Sequence, residues 1–217
     1  MLVGHLAVAM AAKRVTPQFS LGTLTGAALA PDILWCVFMI VGIEHAKVNP
    51  GSGQAIALDA SYSHSLSMGA VGGALTAAAL FWRRHDSRGA WILFAAVLSH
   101  WLLDFISHPP DMALAPGLSQ RFGLGLWSSI PATLIVEGGL WLAALIVYVR
   151  ATRARKRTGV YAFWPVVVFL TAAWINNFAG PPPPDVSKMA VSSLFFFSLV
   201  VACAYWMNSL RPVNPRL

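Results

Sequence analysis

Apolar residues run in long blocks, divided by short polar or glycine- and proline-rich breaks. The first block, residues 2–12, is apolar apart from His5. It is too short to cross a bilayer, which takes about 20 residues. It predicts a short helix, re-entrant or interfacial, packed on a bundle; Lys13, Arg14 and Pro17 mark the turn after it. Six longer blocks follow, at residues 19–43, 64–82, 89–108, 127–149, 161–179 and 189–207. Each reads as a transmembrane helix, the first interrupted by Pro31-Asp32. In the second, Gly69, Gly72, Gly73 and Ala77 allow close helix approach. The breaks are a polar loop at 44–63 with Gly51, Ser52 and Gly53, a charged one at 83–88, a Gly/Pro-rich one at 109–126, a basic one at 150–157, and a rigid run of prolines at 181–184. The pattern predicts an all-α polytopic membrane bundle, six transmembrane helices plus a short N-terminal helix, as a single integral membrane domain over residues 1–217.

Composition agrees. The chain is 57% hydrophobic and 11% charged, more apolar surface than a soluble core of this length absorbs. Its net charge of +7 does not indicate nucleic-acid binding, because the basic residues sit in short loops between apolar blocks. Lys13, Arg14, Arg83, Arg84, Arg88, Arg150, Arg153, Arg155, Lys156, Arg157, Arg211 and Arg216 fall on one side of a six-span alternation; Lys47, Arg121 and Lys188 fall on the other. The rich side is expected to be cytoplasmic, placing the Lys13-Arg14 turn and the C-terminus there, in the inner or plasma membrane of the cell. Lys13 and Arg14 follow the first apolar run rather than precede it, unlike a signal peptide, so that run is expected to stay in the mature protein. Cys36 and Cys203 lie inside apolar blocks and read as small hydrophobes.

Against this background the segment LSHWLLDFISHPPD, residues 98–111, stands out. His100, Asp104 and His108 are four residues apart, a spacing that puts all three on one helix face. Ionisable groups at membrane depth are costly and usually functional. At roughly 1.5 Å per residue, Asp32 and Glu137 reach similar depths, with His64 and Asn176-Asn177 near the outer ends of their spans. His5 adds a further imidazole. Polar groups from several segments thus meet in the outer half of the membrane. His, Asp and Glu together suit Zn²⁺ or a similar divalent ion, and a set this large leaves room for a second ion or a base. A structural polar network or a proton relay would use the same residues. Asp59 and Asp111 are loop carboxylates; Trp127 reads as an interfacial belt residue, and His45 and His85 as plain loop residues.

The residues in order resemble a family. GHLAVAMAAKR with His5, APD with Asp32, YSHSL with His64, and LSHWLLDFISH with His100 and Asp104 resemble the membrane-bound metal-dependent hydrolases of the YdjM type. These are in turn similar to the all-helical zinc-dependent phospholipase C group. The resemblance covers about the first half of the chain. Where the family reads PDxDH, Asp32 is followed here by Ile33-Leu34-Trp35; where it reads HRGxTHS, Asp59 takes the place of the first His and the Arg is missing. A missing Arg removes a phosphate contact.

The expected function is a membrane-embedded metal-dependent hydrolase acting on a lipid-borne ester or phosphoester at the extracytoplasmic side. Its expected metal ligands are His5, Asp32, His64, His100, Asp104 and His108, with Zn²⁺ the expected ion. Glu137 or Asp111 would take a proton from the attacking water. Membrane lipids are the expected partners. The alternative is a cation or proton transporter or channel built on the same cluster. Haem binding would need an opposed His pair and leaves Asp32 and Asp104 without a role.

Overall fold

The computed structural model describes residues 1–47, 57–179 and 185–214. Gly51, Ser52 and Gly53 of the polar loop, the prolines at 181–184, and Arg216 lie outside the described residues. Among those described there are eight α-helices: α1 (Leu2–Val15), α2 (Leu21–Ala28), α3 (Ala30–Ile40), α4 (Leu66–Arg84), α5 (Ser87–Ser107), α6 (Ile130–Ala151), α7 (Arg157–Ala179) and α8 (Val186–Leu210). Two short antiparallel pairs, His45–Lys47 with Ala57–Asp59 and Met112–Ala113 with Arg121–Phe122, tie down the loops after α3 and α5. Helix starts carry the expected caps: Ser20, Ser65, Asp86 and Ser129 each accept a first-turn backbone N–H.

The sequence predicts six crossings; among the described residues four helices, α5 to α8, are long and apolar enough to cross a membrane. The count is five if α2 and α3 form one broken span, bent by 56°. The bend has a local cause. Pro31 lacks an N–H and opens α3, and Leu29 between the two helices leaves the helical conformation. α4 is also helical throughout, but it is rich in glycine and alanine and ends in Arg83-Arg84, which dilutes its hydropathy. The glycines serve packing: at Gly73 the α5 backbone comes so near that an added Cβ would lie 3.1 Å from the Phe94 carbonyl.

α1 is apolar on nearly every side, and a helix of that kind is buried. Val3, Leu6, Ala7 and Met10 enter a core with Trp141, Tyr148, Phe163, Leu170 and Ala204 of α6, α7 and α8. Outward faces are apolar too: Ile135 is 74% exposed and Phe195 72%, as lipid-facing residues would be. The basic helix ends share one face. Arg153 N–H donates to the Pro212 carbonyl, joining the ends of α6 and α8, while Lys13, Arg83 and Arg84 of α1 and α4 line one cavity with Tyr205 and Asn208 of α8.

The end of α5 is closed by the loop that follows. Leu124 N–H donates to the Phe105 carbonyl and Gly125 N–H to that of His108. These bonds occupy carbonyls that a helix end would leave unpaired. A Cβ on Gly123 would meet the carbonyl oxygens of Pro109 and His108, both backbone atoms with no freedom to swing aside. Gly123→Ala is therefore expected to cost about 1–3 kcal/mol, seen as a lowered thermal midpoint in detergent.

Candidate metal centre

Five residues from three helices and one loop converge. His5 comes from α1, Asp32 from the first turn of α3, His64 from the residues before α4, and His100 and Asp104 from successive turns of α5. His5, His100 and Asp104 are 1–2% exposed, and His64 6%. Asp32 is the most open, its side chain 19% exposed. Among the described residues two groups have ligand atoms all within 4.8 Å of one another and could hold a metal ion: His5, Asp32 and His100, and His64, His100 and Asp104.

Second contacts orient both central imidazoles. His100 Nδ1 lies 2.8 Å from the Ala28 carbonyl, which can only accept, so Nδ1 carries the proton. That carbonyl is available because α2 ends there. His64 Nδ1 lies 2.7 Å from Ser63 Oγ, whose own hydrogen goes to Glu44 Oε2 at 2.7 Å. The hydroxyl has one hydrogen, so here too the imidazole Nδ1 donates. Glu44 is held in turn, its Oε1 accepting the backbone N–H groups of Tyr62 (2.7 Å) and Ser63 (2.8 Å). In neutral histidines both Nε2 atoms therefore present lone pairs inward.

Those lone pairs meet two carboxylate oxygens. The separations are 3.1 Å for His100 Nε2 to Asp104 Oδ2, 3.3 Å between the two Nε2 atoms, 3.4 Å for His64 Nε2 to Asp32 Oδ1, 3.6 Å for His100 Nε2 to Asp32 Oδ1, and 4.0 Å for His64 Nε2 to Asp104 Oδ2. A tetrahedron with metal–ligand bonds of 2.0–2.2 Å has edges of about 3.3–3.6 Å, and three of the five separations lie in that range. The donor set fits a divalent ion. Acceptor atoms this close in a largely buried cluster require positive charge beside them, from an ion, from protons on the imidazoles or from the Met1 ammonium against Asp104.

Asp104 divides its oxygens. Oδ2 faces His100 and His64, whereas Oδ1 lies 3.1 Å from His5 Nε2 and 2.5 Å from the Met1 nitrogen. The His5 ring stacks on His100, centroids 3.7 Å apart. His5 Nδ1 is buried with no hydrogen-bond partner among the described residues.

Other expected site residues lie elsewhere. His108 does not join His100 and Asp104. Its N–H still donates to the Asp104 carbonyl, but eight residues at roughly 1.5 Å each put it about 12 Å along α5 from His100, and its ψ of 151° sends the chain out of the helix at Pro109. Its Nδ1 lies 3.2 Å from Asp111 Oδ1 and its ring packs on Trp127. Glu137 is 1% exposed and outside both groups; its Oε1 accepts from Trp127 Nε1 at 2.6 Å, and its Oε2 is unpartnered among the described residues. Asp111 shares a cavity of about 10 Å³ with His64, room for about one water. Asp59, Asn176 and Asn177 are exposed, and none belongs to either group. Glu44 and Ser63 were not foreseen as site residues; the one hint was Ser63 directly before His64.

Fold and site together define a chain of several apolar helices, apt for a multi-pass membrane protein, with a buried His/Asp cluster able to hold a metal. Compared with protein-family models, curated proteins and solved structures, the chain has no match in any of the three.

Proposed function

We propose that this chain is a membrane-embedded, metal-dependent hydrolase of the YdjM-like kind, acting on a lipid-borne ester or phosphoester at the extracytoplasmic side. The observation that carries this reading is the pair of overlapping His/Asp groups that share His100, each with its ligand atoms within 4.8 Å of one another, and two of the histidine nitrogens oriented from behind. His64, His100, Asp32 and Asp104 would hold Zn²⁺, with His5 joining through Asp104. In this reading α2–α3 and α4 also cross the inner or plasma membrane, making six crossings. The face bearing Lys13, Arg83, Arg84 and the C-terminus is cytoplasmic, following the basic-residue excess.

When bound, the ion would acidify a water and polarise the substrate's oxygen. The chain's own part is to aim the Nε2 lone pairs, through the Ala28 carbonyl and the Glu44–Ser63 pair, and to receive a proton. Asp111 is the better base of the two expected, because it lines the one-water cavity beside His64. His108 Nδ1–H donates to it and fixes its carboxylate. Glu137 is engaged by Trp127 instead. Asp111→Asn is expected to lower turnover of a phospholipid or lipid ester about 100-fold or more while metal content stays unchanged. Equal turnover in the variant would remove Asp111 from the mechanism.

Enclosure of the cluster favours a second reading, a cation or proton carrier using the same residues. The decisive experiment pairs metal analysis of the purified protein with lipid turnover and ion flux in reconstituted vesicles. Turnover that disappears with the metal supports the hydrolase; flux without turnover supports the carrier.

A further inference from the structure

A second polar site lies at the opposite end of α1, eight residues on from His5. There a cavity of about 540 Å³ opens between the ends of α1, α4 and α8 and the start of α2. Lys13, Arg83 and Arg84 line it, with Gln18, Ser20 and Asn208, and no lining residue is acidic. Lys13 is the unusual member, 3% exposed. Its ammonium donates to the Pro17 carbonyl at 3.0 Å and to that of Phe19, using two of three N–H bonds, and its only described partners are these neutral oxygens. None of the three cations forms an ion pair among the described residues. The acid at this end, Asp86, lies outside the lining; it accepts from the Gln18 amide at 2.8 Å and the Gly89 N–H at 2.8 Å, and its charge also acts on Arg84 and Arg88, without a direct ion pair. Asn208 accepts from Leu21 N–H through its Oδ1, which leaves its amide N–H groups as donors.

An uncompensated buried cation beside two guanidinium groups is an electrostatic cost unless an anion fills the space. Arg side chains match the oxygens of a phosphate, and a basic pocket between helix ends at the membrane surface suits a lipid headgroup. We propose that this cavity binds a phosphate group, carried by an anionic phospholipid of the adjoining leaflet or free in solution. Lys13 reaches it from the wall, and Arg83 and Arg84 close over it from α4. The site is separate from the metal centre and does not rest on the hydrolase reading.

The test is thermal unfolding of the full chain in detergent, at constant ionic strength, with dioctanoyl phosphatidylglycerol, dioctanoyl phosphatidylcholine or sodium phosphate. Near-saturating phosphatidylglycerol is expected to raise the midpoint by roughly 5 °C, and phosphatidylcholine by less. The double variant Arg83→Gln/Arg84→Gln, at exposed positions, should fold normally and lose the rise. Arg153→Gln/Arg155→Gln, which removes the same charge from another exposed loop, should keep it. A rise with sodium phosphate that vanishes in the Arg83/Arg84 variant assigns the same site to a free phosphate. No rise with any probe, a rise that survives in that variant, or equal loss in both variants overturns the proposal.

Discussion

His100→Ala is expected to abolish metal binding, taking the purified protein from about one divalent ion per chain to less than a tenth of that. His100 belongs to both metal-competent groups, so its loss removes a ligand from each. Without the imidazole that both Asp32 and Asp104 face, the site loses a bond and the group that lies beside both carboxylates. The companion variant is His108→Ala. The simple i, i+4, i+8 pattern assigns His108 the same role, whereas the structure turns it to Asp111 and Trp127. His108→Ala should therefore retain its ion. Elemental analysis after identical purification reads both. Equal loss in the two variants would mean that the ion sits along the α5 face rather than between α3, α5 and the His64 segment.

Glu44→Gln is expected to weaken metal binding about 10- to 100-fold, although Glu44 is no ligand. The backbone N–H groups of Tyr62 and Ser63 keep an oxygen at the Oε1 position, so the new amide nitrogen must replace Oε2. It then donates to Ser63 Oγ. The serine hydrogen turns to His64 Nδ1, and the imidazole proton moves to Nε2, the atom that faces Asp32 and His100. The change preserves shape and inverts a chain of donors. Nitrogen NMR of the apo protein should report His64 in the opposite tautomer, a signature that general destabilisation would not produce. Ser63→Ala should give an intermediate loss, since it removes the orienting bond without reversing it. An unchanged tautomer and affinity in Glu44→Gln would remove the relay.

Much of this site was legible from residue type and spacing. His5, Asp32, His64, His100 and Asp104 stand out because each is costly in an apolar block, and all five converge. His100 and Asp104 needed only helix periodicity. His108 falls outside the cluster for a reason that spacing alone contains: eight residues carry it about 12 Å along the axis from His100. Glu44 could not be found this way. It sits in a polar loop, where a carboxylate is usually solvated, and its burial at 2% depends on the 62–63 backbone folding over it. The crossings divide similarly. α5 to α8 follow from length and hydropathy, while the bend between α2 and α3 follows from Pro31 only in kind, not in angle.

By itself, then, the sequence determined the helical class, the apolar blocks and the residues too expensive to be idle. These are local properties, set by side-chain chemistry and the pitch of a helix. The tertiary structure decided which of those residues meet, which nitrogen of His64 and His100 points inward, and where Lys13 is left with only neutral partners among the described residues. Those depend on the Ala28 carbonyl freed at a helix break, on Glu44 brought to Ser63 from another segment, and on helix ends that are distant along the chain. Such partners are supplied by packing, and no pattern of positions along a single strand of sequence encodes a distance of three ångströms between them.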